Sequence, residues 1–229
     1  MKRLLTLSLV VSAAILAGCA APPQQPVQLA PSTVTAKTVR IGVAMAALPK
    51  VDTHLPGADC LLCYAAAAMM NHSLTKHVVT LPPEGLPTIK AEIAQAITSK
   101  GGTAVVIPED IKVDDLPKFS AQGSNLAGKD YTTLRQKYQV DKLVVISVST
   151  LGAERLYSSY IPTSDPKGVF RGVGYMVDLT SNAYDWYLPV DVLKSSEGPW
   201  DEAPKFPGIT NAYFQALDAG KESLLTPFK

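Results

Sequence analysis

The chain has 229 residues, of which 47% are hydrophobic and 18% are charged, and its formal net charge is +1. This balance creates no strong electrostatic field and the charges form no basic run, which argues against nucleic-acid binding. The length suits one domain with a sizeable core.

The N-terminus has the pattern of an export signal. Two basic residues are followed by an apolar stretch from Leu4 to Leu16. The stretch is too short to cross a bilayer as a helix, which needs roughly 20 residues, so it is typical of a cleaved signal rather than an anchor helix. Ordinary secretion is one outcome, because that cleavage requires only small residues such as Ala17.

The end of this stretch favours a different outcome. Leu16-Ala17-Gly18-Cys19 resembles the lipobox of bacterial lipoproteins, in which a cysteine thiol is acylated. The resemblance implies that residues 1–18 form a signal peptide and that Cys19, carrying acyl chains such as palmitate, anchors the mature protein on a membrane. Cleavage there removes two positive charges and leaves a net charge of −1. Alanines rather than an aspartate follow the cysteine, which by resemblance to sorted lipoproteins implies the outer membrane, with the body facing the periplasm.

The segment after the lipobox differs from the rest of the mature chain. Residues 19–38 consist mostly of Pro, Gln, Ala, Ser and Thr, and they lack the apolar density that folding requires. We therefore expect a disordered, partly polyproline-like tether, followed by a folded domain at residues 39–229.

The first half of the predicted domain alternates strands and helices. Residues 39–45 alternate in hydrophobicity, which predicts a strand. Asp59 can cap a helix over residues 60–70, which we expect to be buried because it is apolar all round. Apolar residues repeat at helical spacing over residues 86–97, and a strand is predicted at 103–107.

The second half is predicted to be antiparallel. Residues 142–148 are apolar on both faces, which predicts a central strand covered on both sides. Residues 156–161 and 169–179 are predicted to be the two arms of a long hairpin, and a proline closes a third strand at 184–188. A helix around residues 209–217 is expected to pack back on the sheet.

Two stretches carry a family resemblance. Residues 138–145 contain a helix end followed by an apolar strand, and residues 177–186 contain an aspartate-leucine pair, a polar turn and an aromatic strand. Over roughly residues 39–190, this order resembles the periplasmic domain shared by the TolB N-terminal domain, CsgG and LpoB-type lipoproteins. The implied fold is a single three-layer-like α/β (α+β) domain, with helices packed on a mixed, mostly antiparallel sheet. Members of this group are mostly non-catalytic accessory lipoproteins, rings or activators.

Cys60 and Cys63 leave three possibilities open. In an oxidising compartment they can form a structural disulfide that fixes the start of the helix. A helix N-terminus also lowers a thiol pKa, so thiol-disulfide chemistry is a second possibility. Metal binding with His54, His72 and His77 is a third, although the spacing between the cysteine and histidine pairs is shorter than in zinc fingers.

Tyr157, Tyr160 and Ile161 are candidate partner-binding residues, because they lie near a predicted hairpin tip and aromatic residues are enriched at protein contacts. Packing on their own domain is the alternative.

The sequence contains no Gly-x-Ser-x-Gly elbow, His-Glu-x-x-His pair or Gly-rich phosphate loop. We therefore expect no enzyme activity, catalytic residue, cofactor, bound metal or small-molecule substrate. The expected function is that of a membrane-anchored periplasmic lipoprotein acting as an accessory, scaffold or ring-forming subunit of a cell-envelope assembly. Its expected partners are the membrane, through Cys19, and envelope proteins or further copies of itself. A thiol-disulfide or metal-binding protein centred on Cys60 and Cys63 is the alternative.

Overall fold

The computed structural model describes residues 23–121 and 123–229. Cys19 and the predicted signal peptide lie outside the described residues. The described strands are β1 (Arg40–Met45), β2 (Asp52–His54), β3 (Thr103–Val106), β4 (Lys142–Glu154), β5 (Tyr157–Ser158), β6 (Ile161–Pro162), β7 (Lys167–Asp178) and β8 (Tyr184–Ser195). The described α-helices are α1 (Pro31–Thr35), α2 (Leu61–Met70), α3 (His72–Val78), α4 (Ile89–Ser99), α5 (Thr133–Tyr138) and α6 (Pro207–Leu225). Single 3-10 turns lie at Val113–Asp115 and Thr226–Phe228.

One mixed sheet forms the centre of the domain, with the strand order β3-β1-β4-β7-β8. On one side of β4, β1 pairs in parallel with its first half and β2 with its last three residues. On the other side, β7 pairs with β4 and β8 with β7, both antiparallel. The predicted mixed α/β domain is confirmed. The predicted central strand is also confirmed, because Leu143, Val144, Val145 and Ile146 are fully buried.

Each face of the sheet is covered by a separate apolar cluster. On one face, α4 and α6 pack against the sheet through residues such as Ile93, Ile97 and Leu217. On the other face, α5 and the segments 107–121 and 123–131 cover residues such as Val145 and Tyr175. The final helix therefore packs back on the sheet, as predicted.

The prediction that residues 156–161 form the first arm of a long hairpin with residues 169–179 was wrong. The partner of β7 is β4 itself, which continues to Glu154, whereas residues 155–166 form a connecting loop that contains β5 and β6. The pairing between β4 and β7 shifts register between Val148 and Thr150. Such a bulge displaces the inward-facing positions by one residue, so the alternation that marks a strand is lost at this point in the sequence.

The third antiparallel strand is longer than predicted. β8 continues through Pro189 to Ser195. A proline cannot donate a ladder hydrogen bond, but it is tolerated here because β8 is the edge strand of the sheet.

The prediction of a disordered tether through residue 38 also needs correction. The N–H groups of Val27 and Tyr187 each donate to the other residue's carbonyl at 2.9 Å, so this segment covers part of the edge of β8. The segment then forms α1, in which Val34 is only 1% exposed. A few apolar side chains suffice to hold a short segment when a sheet edge offers free hydrogen-bonding groups, which a composition argument does not register.

An ion cluster stabilises the end of the sheet where β4 begins. Lys142 Nζ lies 2.7 Å from Asp178 Oδ2 and 2.6 Å from Asp185 Oδ2. Burial by itself raises the pKa of Asp178, but hydrogen bonds from Lys142 Nζ and from two backbone N–H groups outweigh burial and lower the pKa to about 2. Asp178 therefore stabilises the folded protein in its ionised form.

Candidate interaction surface

The most unusual feature of the described structure is the exposure of α2. All ten residues of this helix are apolar, yet only Cys63 and Ala67 are buried. Leu61 is 85% exposed, Met69 79% and Leu62 70%, and Tyr64 and Met70 are more than half exposed. The prediction that this helix is buried was therefore wrong. In soluble proteins, contiguous exposed apolar surface marks sites of interaction.

Helical geometry explains which residues of α2 face inward. Cys63 and Ala67 are four residues apart and so share one face, which packs on Leu55, Ala58 and Tyr157. Leu61, Ala65 and Met69 follow the same spacing on the opposite face. The inward face consists of small side chains, whereas the outward face carries large apolar side chains. An ordinary amphipathic helix instead buries its large apolar side chains and exposes polar ones.

This helix begins one residue later than predicted. Cys60, not Asp59, is the N-cap, and its sulfur accepts a hydrogen bond from the Cys63 N–H at 2.9 Å. The sulfur atoms of Cys60 and Cys63 lie 2.21 Å apart and form a disulfide. The bond closes the first turn of α2 and holds it in the helical geometry. The predicted pairing of these cysteines agrees with this geometry.

Tyr157 lies beneath α2 and is not available to a partner. It is 6% exposed, and its hydroxyl accepts a hydrogen bond from Asn71 Nδ2 at 2.7 Å. Asn71 Nδ2 also donates to the Ala67 carbonyl, at 2.7 Å. The prediction that Tyr157 binds a partner is therefore corrected. This tyrosine connects β5 to the end of α2 and supports the helix from below.

The other two candidate residues do lie at the surface. Tyr160 is 50% exposed and Ile161 is 68% exposed. The Tyr160 hydroxyl lies 3.8 Å from Cys60 Sγ, so the tip of the β5–β6 hairpin is next to the first turn of α2. We name the surface formed by both elements the apolar end surface. Its residues are Leu61, Leu62, Tyr64, Met69, Met70, Tyr160 and Ile161.

Polar groups behind the apolar end surface are paired with one another. Arg155 donates from Nη1 to Asn71 Oδ1 at 3.2 Å and from Nε to the Ser164 carbonyl at 3.1 Å. Its guanidinium also lies 4.8 Å from the ring centroid of Trp200. These contacts connect α2, the loop after β4 and the segment before α6, so the surface rests on a fixed support.

The buried carboxylate at the end of β4 is paired in the same way. Glu154 accepts two hydrogen bonds from Arg171 at 2.5 and 3.0 Å, and Arg171 Nε lies 3.0 Å from Asp191 Oδ1. The hydrogen bond to Glu154 is the main reason that the pKa of Arg171 is raised. This arrangement stabilises three adjacent strands.

Two of the three histidines near the cysteine pair in sequence have other contacts, and the third, His72, is exposed. His54 Nε2 lies 3.1 Å from the Leu151 carbonyl, and His77 Nε2 lies 2.6 Å from Thr210 Oγ1. Within residues 23–121 and 123–229, no three His, Cys, Asp or Glu side chains come together as a metal-ligand set. In the same part of the chain, no helix combines the length and the apolarity needed to cross a membrane.

Several solved structures are similar to this chain. The PelC dodecamer from Paraburkholderia phytofirmans is 7% identical with a TM-score of 0.39, over 89% of this chain and 94% of that one. Protein XCC0632 from Xanthomonas campestris, of the DUF330 family, is 12% identical with a TM-score of 0.34, over 90% and 94%. Lipoprotein GNA1162 from Neisseria meningitidis is 9% identical with a TM-score of 0.32, over 79% and 99%.

No protein-family model and no curated protein matches the chain. At these identities and TM-scores, the similar structures assign no function. The resemblance to the TolB N-terminal, CsgG and LpoB group stays a prediction. We therefore infer function from the residues and contacts of the chain itself.

Proposed function

We propose that this protein is a lipid-anchored lipoprotein of the bacterial outer membrane, facing the periplasm, that acts by binding protein rather than by catalysis. Cys19 carries the lipid, and the apolar end surface makes the contact. The observation that carries the binding role is the exposure of α2, a ten-residue hydrophobic helix without a charged side chain.

Energetics support a contact role for this surface. Leaving a large apolar side chain in water instead of burying it costs about 1.5–3 kcal/mol. Seven such side chains lie close together on a small domain, held by a disulfide and by the buried Tyr157. A domain without a partner here would be more soluble with polar residues at these positions, because a large exposed apolar patch promotes association.

The anchor is tested by replacing Cys19 with alanine in the full chain. We expect the unsubstituted protein to incorporate a clickable palmitate analogue and to sediment with outer membranes. Cys19→Ala should lose the label and appear in the soluble fraction. An unlabelled native protein, or a Cys19→Ala variant that stays with the membrane, would contradict the proposed anchor.

The binding role is tested by native gel electrophoresis of the full chain after mild solubilisation. We expect a complex larger than one chain, which Leu62→Glu should dissociate because it places a charge in the contact. Gln95→Glu is the matched control, since it adds the same charge at an exposed position of α4. Migration as a single chain, or a complex insensitive to Leu62→Glu, would count against binding through this surface.

A further inference from the structure

We propose that the apolar end surface of one copy packs on the same surface of a second copy of this chain. The inference rests on the proposed function and names the partner. It follows from the size of the surface, from its charge and from its distance to the predicted anchor.

The size of the surface matches one side of a stable dimer. Its seven side chains range from half to more than four-fifths exposed. Taking about 150–200 Å² for a fully exposed large side chain, they present roughly 700–900 Å² of apolar area. A standard interface buries about 800 Å² on each partner, so one patch on each of two copies is sufficient.

The charge of the surface suits contact between identical copies. A two-fold contact places the same patch on both sides, so a charged residue near the axis meets its own copy and is repelled. No residue of α2 carries a charge. The small residues Ala65 and Ala68 lie between the larger ones and allow two helix backbones to approach closely.

The position of the predicted anchor favours a protein over the anchoring membrane as the occupant. Gln24 Nε2 donates to Asn125 Oδ1 at 3.0 Å, and the Asn125 carbonyl accepts from the Tyr184 N–H at 2.7 Å. The first described residues therefore lie where β8 begins, whereas α2 lies beyond the last residue of β4.

The distance between these two ends is large compared with the reach of the anchor. Thirteen residues of β4 separate the ends of the sheet, which corresponds to about 40 Å. Cys19 is four residues before Pro23, and four extended residues span at most about 14 Å. The bilayer that holds Cys19 therefore lies near the end of the sheet opposite to α2.

The test is photo-crosslinking in cells that produce two differently tagged forms of the full chain. Benzoylphenylalanine replaces Tyr64 or Tyr160 in the apolar end surface, or Tyr138 of α5 as a half-buried aromatic control. After irradiation, one tag is captured and the other is detected. We expect a product of two chains at positions 64 and 160 and none at 138.

A second substitution shows whether the product depends on the surface. Leu61→Glu should reduce the two-chain product about tenfold or more, because it places a charge at the most exposed side chain of the surface. At 85% exposure, this leucine contributes little to folding, and circular dichroism checks that the variant is folded. Gln95→Glu should leave the product unchanged.

Three results would overturn the inference. They are crosslinks from positions 64 and 160 only to a different protein, crosslinks only to lipid, and a two-chain product that persists undiminished in Leu61→Glu. If crosslinks form only to a different protein while the native complex persists, the second copy is excluded and the proposed binding function stands. If the native complex is also absent, both proposals fail.

Discussion

Asn182 provides a quantitative test of how the long segment before α5 is held on the sheet. Its side chain is fully buried and makes three hydrogen bonds to that segment. Oδ1 accepts from the Tyr131 N–H at 2.9 Å, while Nδ2 donates to the carbonyls of Ala127 and Lys129 at 3.0 and 2.9 Å. The backbone of Asn182 is left-handed, with φ of 60°. Asparagine tolerates this conformation better than most residues with a Cβ atom.

Two substitutions separate the hydrogen bonds from the backbone conformation. Asn182→Gly keeps the left-handed backbone but removes the three bonds, each worth about 0.5–1.5 kcal/mol net, so the free energy of unfolding should fall by about 2–4 kcal/mol. Asn182→Ala should be roughly 1 kcal/mol less stable still, because alanine is strained at this φ.

The measurement is urea unfolding followed by circular dichroism, with the m-value compared among variants. Thr180→Ala, in the same turn but exposed, is the control and should change stability by less than about 0.5 kcal/mol. If Asn182→Gly behaved like this control, the segment would not depend on Asn182 and our account of this face of the sheet would be refuted.

Three further predictions concern stability. The lowered pKa of Asp178 means that its ionised form stabilises the fold above about pH 4 and that this contribution is lost as the pH falls towards about 2. Asp178→Asn should therefore be less stable than the unsubstituted protein at neutral pH by about 2 kcal/mol. In acid, the variant should lose less additional stability than the unsubstituted protein does. Urea titrations in which both proteins lose the same stability in acid would contradict this. Gly168→Ala should lower the melting temperature, because an added Cβ would lie 2.2 Å from a backbone oxygen of α6, whereas Gly128→Ala, with open space around it, should not. Reduction of the disulfide, which closes a loop of four residues, should lower the free energy of unfolding by about 2 kcal/mol, measured by urea titration with and without reductant.

Much of the fold could be predicted from local pattern. Residues 142–148 are apolar on both faces and rich in β-branched residues, which favours a strand covered on both sides over a helix. The helical spacing over residues 86–97 predicted α4, which the structure places at Ile89–Ser99, and the turns predicted the antiparallel order of the last strands. The hairpin arm at 156–161 could not be predicted correctly, because a bulge in β4 hides the continuation of that strand.

The candidate site was only partly predictable. Cys60 and Cys63 are close in sequence, so their pairing needs no long-range information. Tyr160 and Ile161 were correctly placed at the surface, whereas Tyr157, two residues from the start of the loop, turned out to be buried beneath α2. Neighbours in a two-stranded hairpin point to opposite sides, and which side meets the body depends on where α2 lies.

By itself, the sequence predicted a wholly apolar helix over residues 60–70, because helix formation and composition are local properties. Whether that helix is buried was decided by the tertiary structure alone. Burial requires another part of the chain to cover a face, and only the narrow face of Cys63 and Ala67 meets Tyr157 and its neighbours. The wide face of Leu61 and Met69 receives no cover from the rest of the described chain. Hydrophobicity specifies how strongly a side chain avoids water, whereas the fold determines what is available to shield it.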